Sequence, residues 1–448
     1  MKKLTLLIAS IFFVILSFSS AKFLTKEDPK YYFVFLGGNN LKYPIYDDEN
    51  NVEGFENYLS FTFDLKYEER LVDNFSLVSG GWYRSTNIKE NLFRDFVLKN
   101  GELFSFGFKS YYEDYFYAQF IADFRLADTT YFKYGNYNLF DLPDIVYIGL
   151  DFPTLSYLSY NKEKLSFFVG RVPLSYGPMK YNLVLSDNSP YYDTFAFSYR
   201  FNSQIDYDFA IISMVPMMSK QEYEKMDEDF IAFRNAFYNG LNYNPNEKLY
   251  LGISSLNQVA GKLPNPINVF VKSDVGIYGG YIKLIPFLGI NLDGEYAINY
   301  DTLKGGYGLG ISKTFDFDGL KFKIGFERYE VEDSFFSSDY PYNNLYYRTI
   351  ALSNDPGARI FFDYPFGFKY GEDSKINSLD LTLAFEKGYL SYIFDSGYNA
   401  HGEINSIEFR ILLDSKLGDF GLNWKSLKNG GDEFETLFLF YKFEVDIK

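Results

Sequence analysis

The sequence predicts an all-β protein, a transmembrane antiparallel β-barrel of about 18 strands within a range of about 16 to 20. Three observations predict it. Apolar and polar side chains alternate with a period of two through most of the chain. Beyond an N-terminal leader, no stretch is long and apolar enough for a spanning helix. Phe and Tyr number 50 and 43 among 448 residues, the rings that barrels place at the two membrane interfaces and that also form strands well.

The alternation is clearest at Leu59, Phe61, Phe63, Leu65 and Tyr67, with Ser60, Thr62, Asp64 and Lys66 between them. A period of two gives each set its own strand face. Phe195, Phe197, Tyr199 and Phe201 stand against Thr194, Ser198 and Arg200, and Ile205, Tyr207 and Phe209 against Asp206 and Asp208. Leu379, Leu381, Leu383 and Phe385 alternate with Ser378, Asp380, Thr382 and Glu386; Ile407, Phe409, Ile411 and Leu413 with Glu408, Arg410 and Asp414. So long a series of aromatic faces points to lipid outside and polar packing within, in a sheet closed so that no edge is left in hydrocarbon.

Lys2 and Lys3, an apolar run from Leu4 to Phe18, and then Ser19-Ser20-Ala21 read as a signal peptide over residues 1–21. One barrel domain is expected over 22–448. The chain has no cysteine, which excludes disulfides, thiolate metal sites and lipidation through a cysteine. A net charge of −16 argues against nucleic acid or a polyanionic ligand as the main partner, while leaving room for a local basic patch in a mostly acidic lumen. Mean hydropathy is slightly below zero, because alternation averages a barrel strand to near nothing.

In chain order, the first strands are expected at Tyr31–Leu36, Tyr58–Tyr67, Phe75–Arg84, Phe93–Leu98, Leu103–Ser110 and Phe116–Leu126. Ile145–Leu150, Ser156–Tyr160, Leu165–Arg171, Thr194–Phe201, Ile205–Ser213, Ile231–Tyr243 and Lys248–Ser255 follow. Then come Gly276–Ile285, Gly289–Asn299, Gly306–Thr314, Leu320–Tyr329, Arg359–Asp363, Ser378–Glu386 and Tyr389–Phe394. Ile404–Leu413, Phe420–Leu427 and Phe434–Val445 end the series, and the shorter candidates are expected to merge. Asn202-Ser203-Gln204, Glu386-Lys387-Gly388 and Asp316-Phe317-Asp318-Gly319 are short hairpin links. Ala127–Asp144, Val172–Asp193, Val215–Phe230, Gln258–Val275 and Val331–Ala358 are long insertions, the asymmetry of an outer-membrane barrel. Ser219 with Glu222 three residues on forms a capping box, predicting a short helix from Lys220 to Asp229 that either plugs or covers the lumen or simply decorates a loop.

The chemistry available is narrow. His401 is the only histidine, so a histidine-assisted nucleophile must use it. Ser406 would face the opposite side of a strand, and Tyr398-Asn399-Ala400 before His401 with Gly402 after it reads as a turn. No enzyme, cofactor or metal site is expected. Asn291, Asp293, Glu295 and Asn299 share one face, and Lys321, Lys323 and Glu327 share another. Such inward charges either select solutes or pair across strands and fill the barrel. Gly305-Gly306-Tyr307-Gly308-Leu309-Gly310 runs into a strand, not a helix, and is read as strand glycine rather than a phosphate loop.

One block is distinctive: Gly170-Arg171 closes a strand, Tyr176-Gly177-Pro178 makes a turn, and Leu185-Ser186-Asp187-Asn188-Ser189-Pro190 forms a corner. It resembles the Wzi-like capsule assembly family, whose pattern is Gly-Arg, an aromatic-Gly-Pro-Gly turn and Leu-Ser-Asp-Asn-x-Pro. Ala232-Phe233-Arg234, Asn244-Pro245, Leu263–Ile267 and Tyr342-Asn343-Asn344 are similar to later parts of the family in order. Met179 stands where the family has a second glycine, and Phe233 and Ala236 replace a histidine and an acid. The resemblance implies a monomeric outer-membrane barrel with periplasmic helices closing the lumen, acting as a surface lectin. Candidate ligand-binding residues are Arg171, Tyr176, Asp187, Asn188, Arg234, Tyr342, Asn343 and Asn344, since rings stack on sugar faces and amides and carboxylates bind hydroxyl pairs. For Arg171, Tyr176, Asp187 and Asn188 the favoured reading is a structural knot inside the barrel. The expected partners are outer-membrane lipid and surface polysaccharide, and the expected function is to bind or organise that polysaccharide. The alternative is a porin-like passive channel that prefers cations.

Overall fold

The computed structural model describes residues 57–67, 102–112, 116–126 and 146–148, and most of 154–445. The expected leader at 1–21 and the expected strands at Tyr31–Leu36, Phe75–Arg84 and Phe93–Leu98 lie outside the described residues. So does the expected helix over Lys220–Asp229, apart from Glu222.

The strands are β1 (Asn57–Tyr67), β2 (Glu102–Tyr112), β3 (Phe116–Leu126), β4 (Val146–Ile148), β5 (Thr154–Lys162), β6 (Leu165–Val172) and β7 (Tyr192–Arg200). Next are β8 (Ile205–Ser213), β9 (Arg234–Asn246), β10 (Leu249–Ala260), β11 (Val275–Leu284), β12 (Ile290–Asn299), β13 (Gly305–Phe317) and β14 (Leu320–Val331). The last are β15 (Tyr346–Leu352), β16 (Arg359–Pro365), β17 (Ser374–Phe385), β18 (Gly388–Asn399), β19 (Gly402–Leu413), β20 (Asp419–Asn429) and β21 (Asp432–Val445).

Each barrel strand pairs antiparallel with its neighbours in sequence. The series returns on itself: β1 pairs with β2 on one side and along its length with β21 on the other, from Asn57↔Val445 to Tyr67↔Thr436. β4 and β5 share one position, both lying against β3. β15 and β16 pair only with each other. The described residues therefore form a ring of eighteen strand positions, the number expected. Closure satisfies backbone donors and acceptors without a free edge, which hydrocarbon would penalise by several kcal/mol per group.

The faces sort as the alternation requires. Ile253 is 64% exposed and Tyr296 57%, whereas Asp208 is 3% and Glu295 4% exposed. The apolar set faces outward and the polar set inward on β7, β8, β12, β14 and β17 alike. Phe209, with Phe237 and Val259 on the adjoining strands β9 and β10, is an informative exception, an outward residue that is buried. A segment of the β10–β11 connection lies on the outer wall there: Phe270 packs on Phe209 at 5.6 Å, and Asn239 donates to the Val269 carbonyl at 3.1 Å. An outward amide in such a wall needs a partner.

Alternate connections lie at alternate ends. Those at 163–164, 201–204, 247–248, 318–319 and 386–387 share one end, and those at 173–191, 214–233, 261–274 and 332–373 share the other. The long-loop end is the extracellular one in barrels of this kind.

Two expectations need correction. Arg359–Asp363 was expected to be a barrel strand; it lies in β16, and its partner β15 falls within what reads as a plain insertion. Period-two alternation identifies a strand but not its partner, so a hairpin in a loop has the same pattern as a wall strand. The periplasmic helices implied by the resemblance are not what occupies the lumen among the described residues; a loop is.

That loop is the β6–β7 connection, residues 174–189, in which Leu174, Tyr176, Met179, Leu183, Val184 and Leu185 are buried. It folds inside the barrel and reaches β17 and β18, eight or more positions round the ring from β6 and so on the opposite wall. The β14–β17 connection packs on it, contributing Phe335, Phe336, Tyr364, Phe366, Phe368 and Tyr370 to a shared core. The hydrophobic core of this protein is thus a filling of the lumen.

Candidate functional site

The inserted segment is held residue by residue. The Tyr176 ring stacks on Tyr238 of β9 at 4.1 Å and 11°, and its N–H donates to the Leu185 carbonyl. The Leu183 N–H donates to Glu295 of β12 at 2.9 Å. The Lys180 N–H donates to Glu327 of β14 at 3.2 Å, and the Tyr181 N–H to the Tyr329 hydroxyl at 3.0 Å. Lys180 Nζ reaches Ser378 of β17 at 3.0 Å and Asp395 of β18 at 3.4 Å. Inward charges here pair and fill, as one of the two sequence readings allowed.

Met179 fills a space left by glycines on the facing wall. Its methyl lies 3.2 Å from where a Cβ on Gly308 would sit and 3.5 Å from one on Gly310. A Cβ on Gly279 would collide with Val184. The glycine run of β13 is a strand, as expected, and its inward glycines leave a furrow that the inserted side chains occupy.

At the long-loop end, three connections meet around two guanidinium groups. Arg348 of β15 grips Asp363 of β16 through Nε at 2.6 Å and Nη2 at 2.6 Å. It also grips Glu222 of the β8–β9 connection through Nη1 at 2.8 Å and Nη2 at 2.9 Å. Burial opposes the Arg348 charge, but these carboxylates outweigh it and hold its pKa above the usual arginine value. Arg234, at the head of β9 and 2% exposed, donates from Nη2 to the Asn344 and Tyr346 carbonyls, each at 3.2 Å. Its guanidinium stands 5.1 Å from the centroid of Tyr342. Asn343 and Asn344 are half-buried, and Asn344 Oδ1 caps the Ser338 N–H at 2.9 Å.

The expected site residues therefore divide. Arg234, Tyr342, Asn343 and Asn344 come together at the long-loop mouth. Tyr176 and Asn188 belong to the inserted segment; Asn188 donates to the Pro365 carbonyl at 3.0 Å and to that of Gly367, clamping the two loops. Asp187 is half-buried beside them. Arg171 does not join this group. It shares the outward parity of Val169 and pairs with Asp193 at 2.7 Å between β6 and β7, so it is no part of a knot inside the barrel. Arg348, Asp363, Lys180, Tyr181 and Asp395 were missed as site residues. Glu222 was visible only as a helix cap. His401 lies exposed in the turn between β18 and β19, its N–H capped by Asn399 at 2.9 Å.

A closed antiparallel ring with an apolar exterior, a polar lumen wall and long loops at one end defines an outer-membrane β-barrel. No family model matches the chain, and no curated protein is similar to it in sequence. Among solved structures, it is similar to Wzi from Escherichia coli, described as an outer-membrane protein involved in group 1 capsule assembly and a carbohydrate-binding β-barrel. That similarity has a TM-score of 0.58 at 11% identity, over 88% of this chain and 85% of that one. A BenF-like porin from Pseudomonas fluorescens matches with a TM-score of 0.41 at 8% identity, over 88% and 98% of the two chains. OccAB4 from Acinetobacter baumannii matches with a TM-score of 0.44 at 12% identity, over 89% and 100%.

Proposed function

We propose that this outer-membrane barrel binds and organises surface polysaccharide at its long-loop end, as a filled barrel and not as an open channel. The observation that carries the reading is the segment 174–189, which crosses from β6 to β18 and is fastened to the far wall by Tyr181 and Lys180. A passive pore needs a continuous aqueous path, and a buried aromatic core across the lumen works against one. The mouth above this filling presents Asn343 and Asn344 next to the Tyr342–Arg234 pair, side chains suited to sugar hydroxyls. The overall fold is similar to that of a barrel described as carbohydrate-binding.

The purified protein is expected to retain the host's surface polysaccharide in a pull-down, with retention falling about tenfold in Asn343→Ala. In planar bilayers it is expected to be silent. A steady, large, cation-preferring conductance together with no glycan retention would establish the porin-like alternative instead.

A further inference from the structure

We propose that the turn Pro341–Asn343 is a lid over a site for the hydroxyl edge of one neutral sugar ring, and that Arg234 and Gln258 form its floor. The choice of a sugar rests on the polysaccharide reading; the geometry of the site does not.

Arg234 and Gln258 are neighbours on the inner face of the barrel. β9 and β10 pair Arg234 with Ala260 and Ala236 with Gln258, so the two side chains stand diagonally across one strand pair. That separation is about 7–8 Å, which long side chains bridge. Both point inward, because Phe237 and Val259, of opposite parity, belong to the outer wall. The turn Pro341–Asn343 packs against β10, and its Tyr342 ring lies 5.1 Å from the Arg234 guanidinium. Floor and lid thus meet at the long-loop end.

Arg234 is 2% exposed and Gln258 1%. Arg234 Nη2 donates to the Asn344 and Tyr346 carbonyls, but Nε and Nη1 are buried and make no hydrogen bond. Gln258 Nε2 and Oε1 are buried and make none either. The Tyr342 ring answers the charge of the guanidinium and not its remaining N–H groups. Side chains kept here only for structure would turn the amide oxygen onto the guanidinium, or would be apolar. They stay apart instead, with four unsatisfied polar atoms between them.

Those atoms define what fits. The guanidinium and the amide nitrogen require acceptors, and the amide oxygen requires a donor. A sulfate or a carboxylate offers acceptors alone and leaves Gln258 Oε1 unmet. Adjacent hydroxyls of a sugar ring accept and donate at once. The net charge of −16 also disfavours a strongly anionic chain.

Tyr342 is itself 1% exposed, so its ring must lift before a sugar enters. The local chain permits this. Asn344 Oδ1 accepts from the Ser338 N–H at 2.9 Å, closing the base of a short loop whose tip is the turn. The Leu345 N–H donates to the Phe336 carbonyl at 2.8 Å and anchors that base.

The test is a saturation-transfer NMR titration of the detergent-solubilised full chain with glucose, galactose, mannose and sodium sulfate, alongside thermal unfolding without ligand. At least one hexose is expected to bind in the millimolar range. Gln258→Leu nearly keeps the shape and removes the unmet groups. It should weaken that hexose about tenfold and yet raise the unfolding temperature of the unliganded barrel. Tyr342→Ala should tighten the same hexose about threefold, since no ring has to be displaced. Heat-dependent gel mobility reports whether each variant is folded, and Gln258→Leu carries the test alone if Tyr342→Ala is not. Four results would each overturn the site: no hexose bound, sulfate bound as tightly as the best hexose, unchanged affinity or a lower unfolding temperature in Gln258→Leu, or weaker affinity in folded Tyr342→Ala. The two proposals fail separately. Hexose binding without retention of surface polysaccharide sinks only the surface reading; retention without hexose binding sinks only this one.

Discussion

The Tyr181 hydroxyl donates to Asp395 Oδ2 at 2.7 Å across 214 residues of sequence, joining the segment inserted from β6–β7 to the wall opposite its root. The same oxygen accepts from Tyr370 at 2.6 Å, and Oδ1 accepts from Ser378 at 2.5 Å and from Lys180 at 3.4 Å. One carboxylate therefore fastens both loops that fill the lumen. Asp395→Asn removes the charge and leaves donors facing an amide, and the expected cost is about 1–3 kcal/mol of loop anchoring. In bilayer recordings the variant should show transient conductance steps that the parent lacks. A variant as quiet as the parent would mean that the filling does not depend on this carboxylate.

Gly367 allows the two loops to meet. A Cβ there would collide with the Leu183 carbonyl, next to the bond from the Ser186 N–H to the Phe366 carbonyl at 2.7 Å. Gly367→Ala is expected to part the loops and destabilise the filling by about 1–3 kcal/mol. The measurement is protease cleavage within residues 332–373, which should accelerate while the barrel stays heat-resistant on gels.

Arg348 is 5% exposed and Glu222 7%, counted on their side chains. Arg348→Met would leave two carboxylates facing each other without their cation, at a cost of about 3–5 kcal/mol. The β15–β16 hairpin should then detach from the β8–β9 connection. Hydrogen exchange in Tyr346–Leu352 should rise far more than in β17 or β18, and a uniform rise through the barrel would contradict this local role.

Glu372 accepts from the Phe336 N–H at 3.1 Å and the Ser337 hydroxyl at 3.0 Å. Burial lifts its carboxyl above the ordinary 4.5, and those two donors pull the other way without cancelling the lift. A carboxyl raised on folding holds its proton more tightly in the folded state. Stability of this loop therefore falls as pH rises from the ordinary value through the raised one. Cleavage of the 332–373 connection should accelerate across that window in the parent, and Glu372→Gln should flatten the dependence.

Parity was legible from sequence at nearly every wall strand because it is local: Thr194 inward and Phe195 outward follow from adjacent positions on one pleat. Turn lengths were legible for the same reason. The misplacement of Arg171 has a physical cause. Its motif reads as one block, but the strand carries it to the outward face before Tyr176 turns in. Glu222 was visible as a helix cap, yet its partner Arg348 lies 126 residues away. Nothing in either local pattern announces the pair. Met179 read only as a departure from a pattern, and the glycines of β13 on the facing wall show the space that it fills.

The amino-acid order alone determined the cylinder: its strand rhythm, its greasy exterior, its polar interior and the end that bears the long loops. Tertiary structure decided what fills that cylinder and which side chains meet at its mouth. A pleat imposes its period on near neighbours, whereas the partner of a buried charge is chosen wherever folding brings a matching group within reach.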